Sequence, residues 1–309
     1  MIDGKADTLL TVAEQKSFTR AAQQLSLTQP AVSHQISQLE QQLQVPLFIR
    51  KKGDLLLTTE GKIAVKYAKR LKALDEKMHQ EIADAKRNIH QLRVGVTHTS
   101  ESNFVIEVLT RYSGENPNLN ITVVADTIKN LYSMLENFEI DIAIVEGKST
   151  DPEINSLILD TDYLACVVSN NSPLAKRAMV TVEQLKKEKL ILRSAGSATR
   201  MQFESSLMSM NESIDSFNII VEVDNVATIK DLIRKDLGVS ILARSACMDE
   251  LRKGKITVLP IENLSMVRDT NILYHNTFSH MDVLQHIARV YQETAKRYLN
   301  AAAGEGAVG

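Results

Sequence analysis

The sequence predicts an α/β chain with an all-α winged helix-turn-helix N-terminal domain, joined by a long linker helix to a larger α/β part. Three observations carry this. Two short helical periods flank a tight turn between Ser17 and Leu43, a charged run with seven-residue spacing extends from Thr58 to Ile89, and strand-like and helical stretches alternate after Gln91. The implied boundaries are 1–58, 59–90, 91–300 and a flexible tail over 301–309.

In SFTRAAQQLSLTQPAVSHQISQLEQQL, Val32, Ile36, Leu39 and Leu43 recur at helical intervals, which predicts one buried face. Thr28 suits the N-cap and Pro30 the first turn, where a missing N–H costs little, so the helix begins at about Gln29. Gln29, Ser33, His34, Gln35 and Gln38 lie off the apolar face, where they can hydrogen-bond base edges from a major groove. Ala21, Ala22 and Leu25 seat the preceding helix closely, and Arg20 at its start can reach a phosphate.

Apolar runs on either side of Lys51-Lys52-Gly53-Asp54 predict a hairpin with a basic tip, a wing that adds Arg50, Lys51 and Lys52 to the DNA-facing residues. From Lys16 to Lys72 ten basic residues stand against three acidic, whereas the whole chain of 309 residues carries a net charge of −2. That asymmetry is the electrostatic footprint of a phosphate-backbone partner. In the linker, Ala64, Leu71, Met78 and Ala85 lie seven apart, with Tyr67 and Leu74 interleaved and Glu81 breaking the row. A paired helix, and so a dimer, is expected rather than a long coiled coil.

After Gln91, strands are expected at 92–97, 120–125, 140–145, 163–169, 190–193, 218–223, 239–243 and 271–275. Helices are expected at 102–112, 129–138, 182–187, 199–210, 226–237 and 281–298. This alternation predicts a parallel sheet.

The stretch SFTRAAQQLSLTQPAVSHQISQLEQQLQVPLFIRK followed by LLLTTEG resembles the N-terminal domain of LysR-type transcriptional regulators. The likeness rests on Ser-Phe-Thr-Arg-Ala-Ala from Ser17, Thr-Gln-Pro-Ala-Val-Ser from Thr28, Leu39-Glu40, Pro46-Leu47-Phe48, Arg50 and Leu57-Thr58. Lys16 and Gln44 depart from it, standing where the family often has glycine, and His34 stands where arginine is frequent. A neutral imidazole offers one donor and one acceptor in place of a charged fork.

The remainder is similar to the family's effector-binding domain, with Ile140-Asp141-Ile142-Ala143-Ile144 and Asp236-Leu237-Gly238-Val239-Ser240-Ile241-Leu242 its recognisable motifs. The resemblance implies a two-lobed, periplasmic-binding-protein-like effector domain, with lobe I at 91–161 plus 265–300 and lobe II at 162–264. It further implies winged helices reading an interrupted palindrome in double-stranded promoter DNA, a dimer through the linker helix, a tetramer of two dimers, and RNA polymerase as a further partner. A small-molecule effector would occupy the cleft.

Open α/β sheets bind ligands beyond the carboxyl ends of their strands, where helix N-termini present N–H groups to anions. Thr97-His98-Thr99-Ser100 and the segment Ser194 to Arg200 each follow a strand and enter a helix. Thr97, Thr99, Ser100, Ser197 and Thr199 supply hydroxyls, Arg200 supplies charge, and Thr127 is a third position of the same kind. Simple N-capping is the competing reading of each. Thr97-His98-Thr99 resembles the matching stretch in regulators of sulfur assimilation, which implies an oxyanion or carboxylate effector.

The chain has no HExxH, CxxC, phosphate-loop or GxSxG pattern, so neither an enzyme nor a metal or prosthetic group is expected. Cys166 and Cys247 sit inside apolar runs and are expected to be buried thiols. Low cysteine content, no signal peptide and no long apolar span predict a cytoplasmic protein without membrane contact. Two other readings stand beside the regulator: a solute-binding protein, and an architectural DNA-binding protein with an empty cleft.

Overall fold

The computed structural model describes residues 4–51, 54–87 and 90–304, and it separates into two units at His90/Gln91, with 136–139 clustering with the first. In the first, α1 (Gly4–Gln15), α2 (Phe18–Gln24) and α3 (Gln29–Leu43) form the trihelical head. Ser17 and Thr28 start α2 and α3 by one device, each side-chain oxygen accepting the backbone N–H three residues on, from Arg20 and Ala31, both at 3.3 Å. Pro30 sits in the first turn of α3. The core gathers Leu9, Val12, Ala21, Ala22, Val32, Ile36, Leu47 and Ala68.

α1 was not foreseen from the sequence, and it supplies Leu9 and Val12 to that core. Leu43, expected on the buried face, is 48% exposed. It ends α3, and Gln44, left-handed at φ 57°, turns the chain away before a partner can cover it. Lys16, the other position where the resemblance leads one to expect glycine, is left-handed as well, at φ 49°.

The wing is an antiparallel hairpin of β1 (Phe48–Lys51) and β2 (Asp54–Leu57) whose last pair is Lys51 with Asp54. Its tip residues, Lys52 and Gly53, lie outside the described residues. Glu40 of α3 holds the wing's base, since its carboxylate accepts from the Leu47 N–H at 2.7 Å and the Phe48 N–H at 3.3 Å. Helix α4 (Thr59–Arg87) begins against the same base: Thr58 donates to the Pro46 carbonyl at 2.7 Å and accepts from the Gly61 N–H at 2.8 Å. A Cβ on Gly61 would lie 2.1 Å from the Leu47 carbonyl oxygen, so only glycine permits this approach.

Along α4, Ile63, Tyr67, Leu71, Leu74 and Ile82 are exposed apolar side chains at helical spacing, with Met78 half-buried between them. Ile63 and Ile82 thus join the expected stripe, whereas Ala64 packs against the head's own core. The Ala85 side chain lies outside the described residues.

The second unit contains β3 (His90–Thr97), α5 (His98–Glu101), α6 (Val105–Glu115), β4 (Leu119–Asp126), α7 (Ile128–Glu136), β5 (Ile142–Glu146) and β6 (Ile154–Ser169). There follow α8 (Val182–Leu185), β7 (Lys189–Leu192), α9 (Ala198–Ser209), β8 (Asn218–Glu222), α10 (Val226–Arg234) and β9 (Ser240–Ala243). It ends with α11 (Met248–Arg252), β10 (Ile256–Leu259), β11 (Val267–His275) and α12 (Met281–Gly304).

The main sheet runs β10-β6-β11-β5-β3-β4, with β9 also on β6, and β7 pairs β8 separately. The expectation of a parallel sheet is corrected to a mixed one. β3 with β5 and β7 with β8 are parallel, but β11 runs antiparallel to β5 and β6, as do β9 and β10 to β6. The reason lies in β6, whose polar middle, Asp160-Thr161-Asp162, hides one continuous strand of 16 residues. Its first half pairs β11 and its second half pairs β9 and β10.

Three apolar cores result among the described residues. One includes Leu164, Phe203, Ile229 and Met266; a second includes Val96, Leu109, Ile144, Ile272 and Tyr291; a third includes Leu131, Leu135, Ala143, Val145 and Leu273. α12 continues to Gly304, so the first residues of the expected flexible tail are helical, and the rest lie outside the described residues.

Candidate DNA interface and effector site

On α3 the Gln29 amide donates to the Ser33 hydroxyl at 2.8 Å, and the Gln38 amide lies 2.9 Å from His34 Nε2. Gln29 and His34 are exposed, and Ser33 and Gln38 half-buried. These i,i+4 pairs restrict four polar side chains on α3. Thr28 and Pro30 are exposed at the helix start, Arg20 is exposed on α2, and Arg50 and Lys51 are exposed on β1. Gln35 is placed differently from the rest. Its half-buried amide oxygen accepts from the Thr8 hydroxyl, which ties α3 to α1.

In the second unit Thr97 ends β3 and caps α5, accepting the Ser100 N–H at 3.1 Å while donating to Glu146 Oε1 at 2.9 Å. Ser100 donates to the same oxygen at 3.3 Å, and Thr99 is buried on the same turn. Arg268 of β11 approaches Glu146 with Nη2 at 3.8 Å and reaches the Thr199 hydroxyl with Nη1 at 3.4 Å. A chain of contacts therefore runs Thr97 and Ser100, Glu146, Arg268, Thr199, joining the two segments expected from the sequence.

Arg193, at the end of β7, belongs to the same field. Burial pushes its guanidinium below the usual arginine range, Asp224 and Glu146 pull it up, and Arg268 pushes it down. Arg193 is 5% exposed and Glu146 8%, and the Arg268 side chain is 7% exposed. Glu146 Oε2, Arg193 Nε, and Nε and Nη2 of Arg268 are buried and have no hydrogen-bond partner among the described residues. A buried polar atom left unmet costs about 1–3 kcal/mol, and more when charged, so this concentration is a costly arrangement for the fold alone.

Ser197 caps α9, accepting the Arg200 N–H at 3.2 Å. Arg200, expected to lend charge to the site, is turned to Glu204 and lies 3.5 Å from Glu222. Thr127 is exposed, accepts the Asn130 N–H at 3.3 Å as a cap of α7, and has no hydrogen bond to the Glu146 cluster among the described residues. Sequence reasoning overlooked Glu146, Arg193 and Arg268. A charged residue closing an apolar strand was the available signal for Glu146 and Arg193; Arg268 carried none.

Cys166 and Cys247 are fully buried, and burial pushes both thiols up, Cys247 to about 12. Among the described residues no cluster of His, Cys, Asp and Glu could hold a metal ion, and no helix is long and apolar enough to cross a membrane.

Residues 5–62 match the family "Bacterial regulatory helix-turn-helix protein, lysR family", and residues 85–296 match "LysR substrate binding domain". A probable RuBisCO transcriptional regulator of Thalassiosira pseudonana is 29% identical over 268 residues, spanning 85% of this chain and 87% of that protein. Among solved structures, CbnR, a LysR family transcriptional regulator, superposes with a TM-score of 0.66 at 17% identity over 94% of this chain and 99% of its own. Corynebacterium glutamicum OxyR, as an H2O2-bound C206S mutant, gives 0.61 at 23% identity, covering 98% of this chain and 95% of that one. These two likenesses concern the fold.

Proposed function

The chain belongs to the LysR family of bacterial helix-turn-helix regulators, and on that premise we propose how its two units divide the work of a DNA-binding transcriptional regulator. Gln29, Ser33, His34 and Gln38 read base edges of an interrupted palindrome, while Arg20, Arg50 and Lys51 meet phosphates. The exposed stripe on α4 pairs two copies, so two recognition helices face two half-sites. A small anionic metabolite binds where Thr97, Ser100, Glu146, Arg193, Arg268 and Thr199 converge, between lobe I (91–161 with 265–300) and lobe II (162–264). The protein works as a regulator and carries out no catalysis.

The observation that supports the effector reading is the buried set of unmet polar atoms on Glu146, Arg193 and Arg268. A ligand bound there changes DNA occupancy through its differential affinity for two assembly states, and DNA changes ligand affinity by the same factor. Calorimetric titration of the full-length protein with small anions, repeated in the presence of its promoter DNA, tests this. Saturable binding abolished by Arg193→Met and Arg268→Met and shifted by DNA is the expected result; binding unaffected by either substitution would move the site elsewhere.

A further inference from the structure

The unmet atoms of the site are of two kinds, and the ligand has to answer both. Arg193 Nε and the Nε and Nη2 of Arg268 are donors that seek an acceptor, whereas Glu146 Oε2 is an acceptor that seeks a donor. Glu146 cannot turn this oxygen to another purpose, because its Oε1 is already held by Thr97 at 2.9 Å and Ser100 at 3.3 Å. Arg268 is similarly oriented by Thr199 at 3.4 Å.

Charge narrows the choice further. Two buried arginines against one buried carboxylate leave one positive charge unmatched. Asp224 lies 3.9 Å from Arg193, but it is 62% exposed, and its carboxylate accepts from Ser194. Screening by water makes it a weak counter-charge. A fully ionised oxyanion such as sulfate offers acceptors only, and it would set negative charge against Glu146 in a poorly hydrated site. An amino acid offers an ammonium donor to Glu146 but has no net charge, so the excess positive charge would stay uncompensated.

We infer that the effector is a small hydroxycarboxylate, a monoanion whose carboxylate is taken by Arg193 and Arg268 and whose hydroxyl donates to Glu146 Oε2. This rests on the anionic-effector reading above and adds the ligand's chemical class. Such a site discriminates by what it leaves unpaired: the analogue without its hydroxyl buries a carboxylate oxygen with no donor, a large penalty in a site built for hydrogen bonding.

The test is calorimetric titration of the full-length protein with matched pairs: glycolate and acetate, lactate and propionate, mandelate and phenylacetate. Sulfate, phosphate and glycine complete the panel. At least one hydroxy acid is expected to bind tenfold or more tightly than its deoxy partner and than sulfate or glycine. In Glu146→Gln an amide N–H replaces Oε2, so the hydroxyl preference is expected to disappear while sulfate affinity rises. Deoxy acids or sulfate binding as tightly as hydroxy acids would overturn the hydroxycarboxylate assignment and leave an anion site in place. Glycine binding more tightly than glycolate would overturn it in favour of a zwitterion. No binding by any of these anions would overturn the anionic-effector reading itself, and this inference with it.

Discussion

The head and the effector-binding unit solve opposite problems with their polar residues. In the head, Gln29, Ser33, His34 and Gln38 lie within three turns of one helix, at or near the surface, while the apolar side chains beneath them hold the fold. In the effector-binding unit, Glu146 ends β5, Arg193 follows β7 and Arg268 lies in β11, far apart in the chain and buried where each is costly unless a partner meets it. On the roles proposed for them, these four head residues can be changed with little effect on stability, whereas in the other unit the proposed function and stability are coupled.

The largest expected effect concerns buried groups that the effector site does not use. Cys247 has its thiol raised to about 12 by burial, so the pH at which thiolate forms moves up and the thiol stays protonated across the neutral range. At pH 8 its thiolate fraction falls about 10³-fold below that of a thiol at its ordinary value, and alkylation by iodoacetamide should slow in proportion. The rate should keep rising with pH where an exposed thiol would have levelled off. Alkylation of the native protein as fast as of the unfolded chain would break the contrast between the units and would show that the Cys247 thiol is reached by solvent.

Next comes the joint between wing and linker. Gly61→Ala drives a Cβ to 2.1 Å from the Leu47 carbonyl oxygen, a backbone atom that cannot step aside like a flexible side chain. A loss of about 2–3 kcal/mol is expected, in the range of overpacked substitutions, read as a lower urea midpoint for the head and reduced DNA binding. An unchanged midpoint would show that α4 can draw back from the wing.

The residues proposed to read bases should behave otherwise. Gln29→Ala and Ser33→Ala should each weaken specific binding by about 1–3 kcal/mol, with non-specific binding and thermal midpoint nearly unchanged. Equal losses on every sequence would mean that these side chains position the helix rather than read bases. Lys51→Ala should do what the glutamine does not: weaken binding to all sequences and reduce the salt slope by about 1. An unaltered slope would remove this edge of the wing from the phosphate contacts.

These differences explain what the sequence made legible. The head is built from local signals: Thr28 and Pro30 announce α3, and Val32 and Ile36 announce its buried face. Tertiary context decided the exceptions, Leu43 and Gln35. Glu40 counts as a stray acid in a basic window, yet it holds two N–H groups at the wing's base. In the effector-binding unit, the strand ends and the hydroxyls of Thr97 and Ser197 were visible, but which strand would bring Arg268 against Glu146 depends on β11 entering between β5 and β6. Nothing local encodes that insertion, and the polar middle of β6 concealed the strand that makes it possible.

The smallest expected effect probes a place where resemblance and backbone geometry meet. Lys16 and Gln44 occupy positions where the resemblance leads one to expect glycine, and both adopt left-handed backbone, at φ 49° and 57°. A Cβ in that region crowds the following carbonyl, a strain of roughly 1–2 kcal/mol, and glycine removes it while costing some entropy of the unfolded chain. The balance for Gln44→Gly at the C-cap of α3 is a gain of about 0.5–1 kcal/mol, seen as a higher urea midpoint for the head. Because Gln44 is exposed and lies after the residues proposed to read bases, specific DNA affinity should hold constant. A gain in stability accompanied by weaker DNA binding would show that the strained turn sets the angle between α3 and the wing, so that stability and recognition are joined at this turn as they are at Gly61.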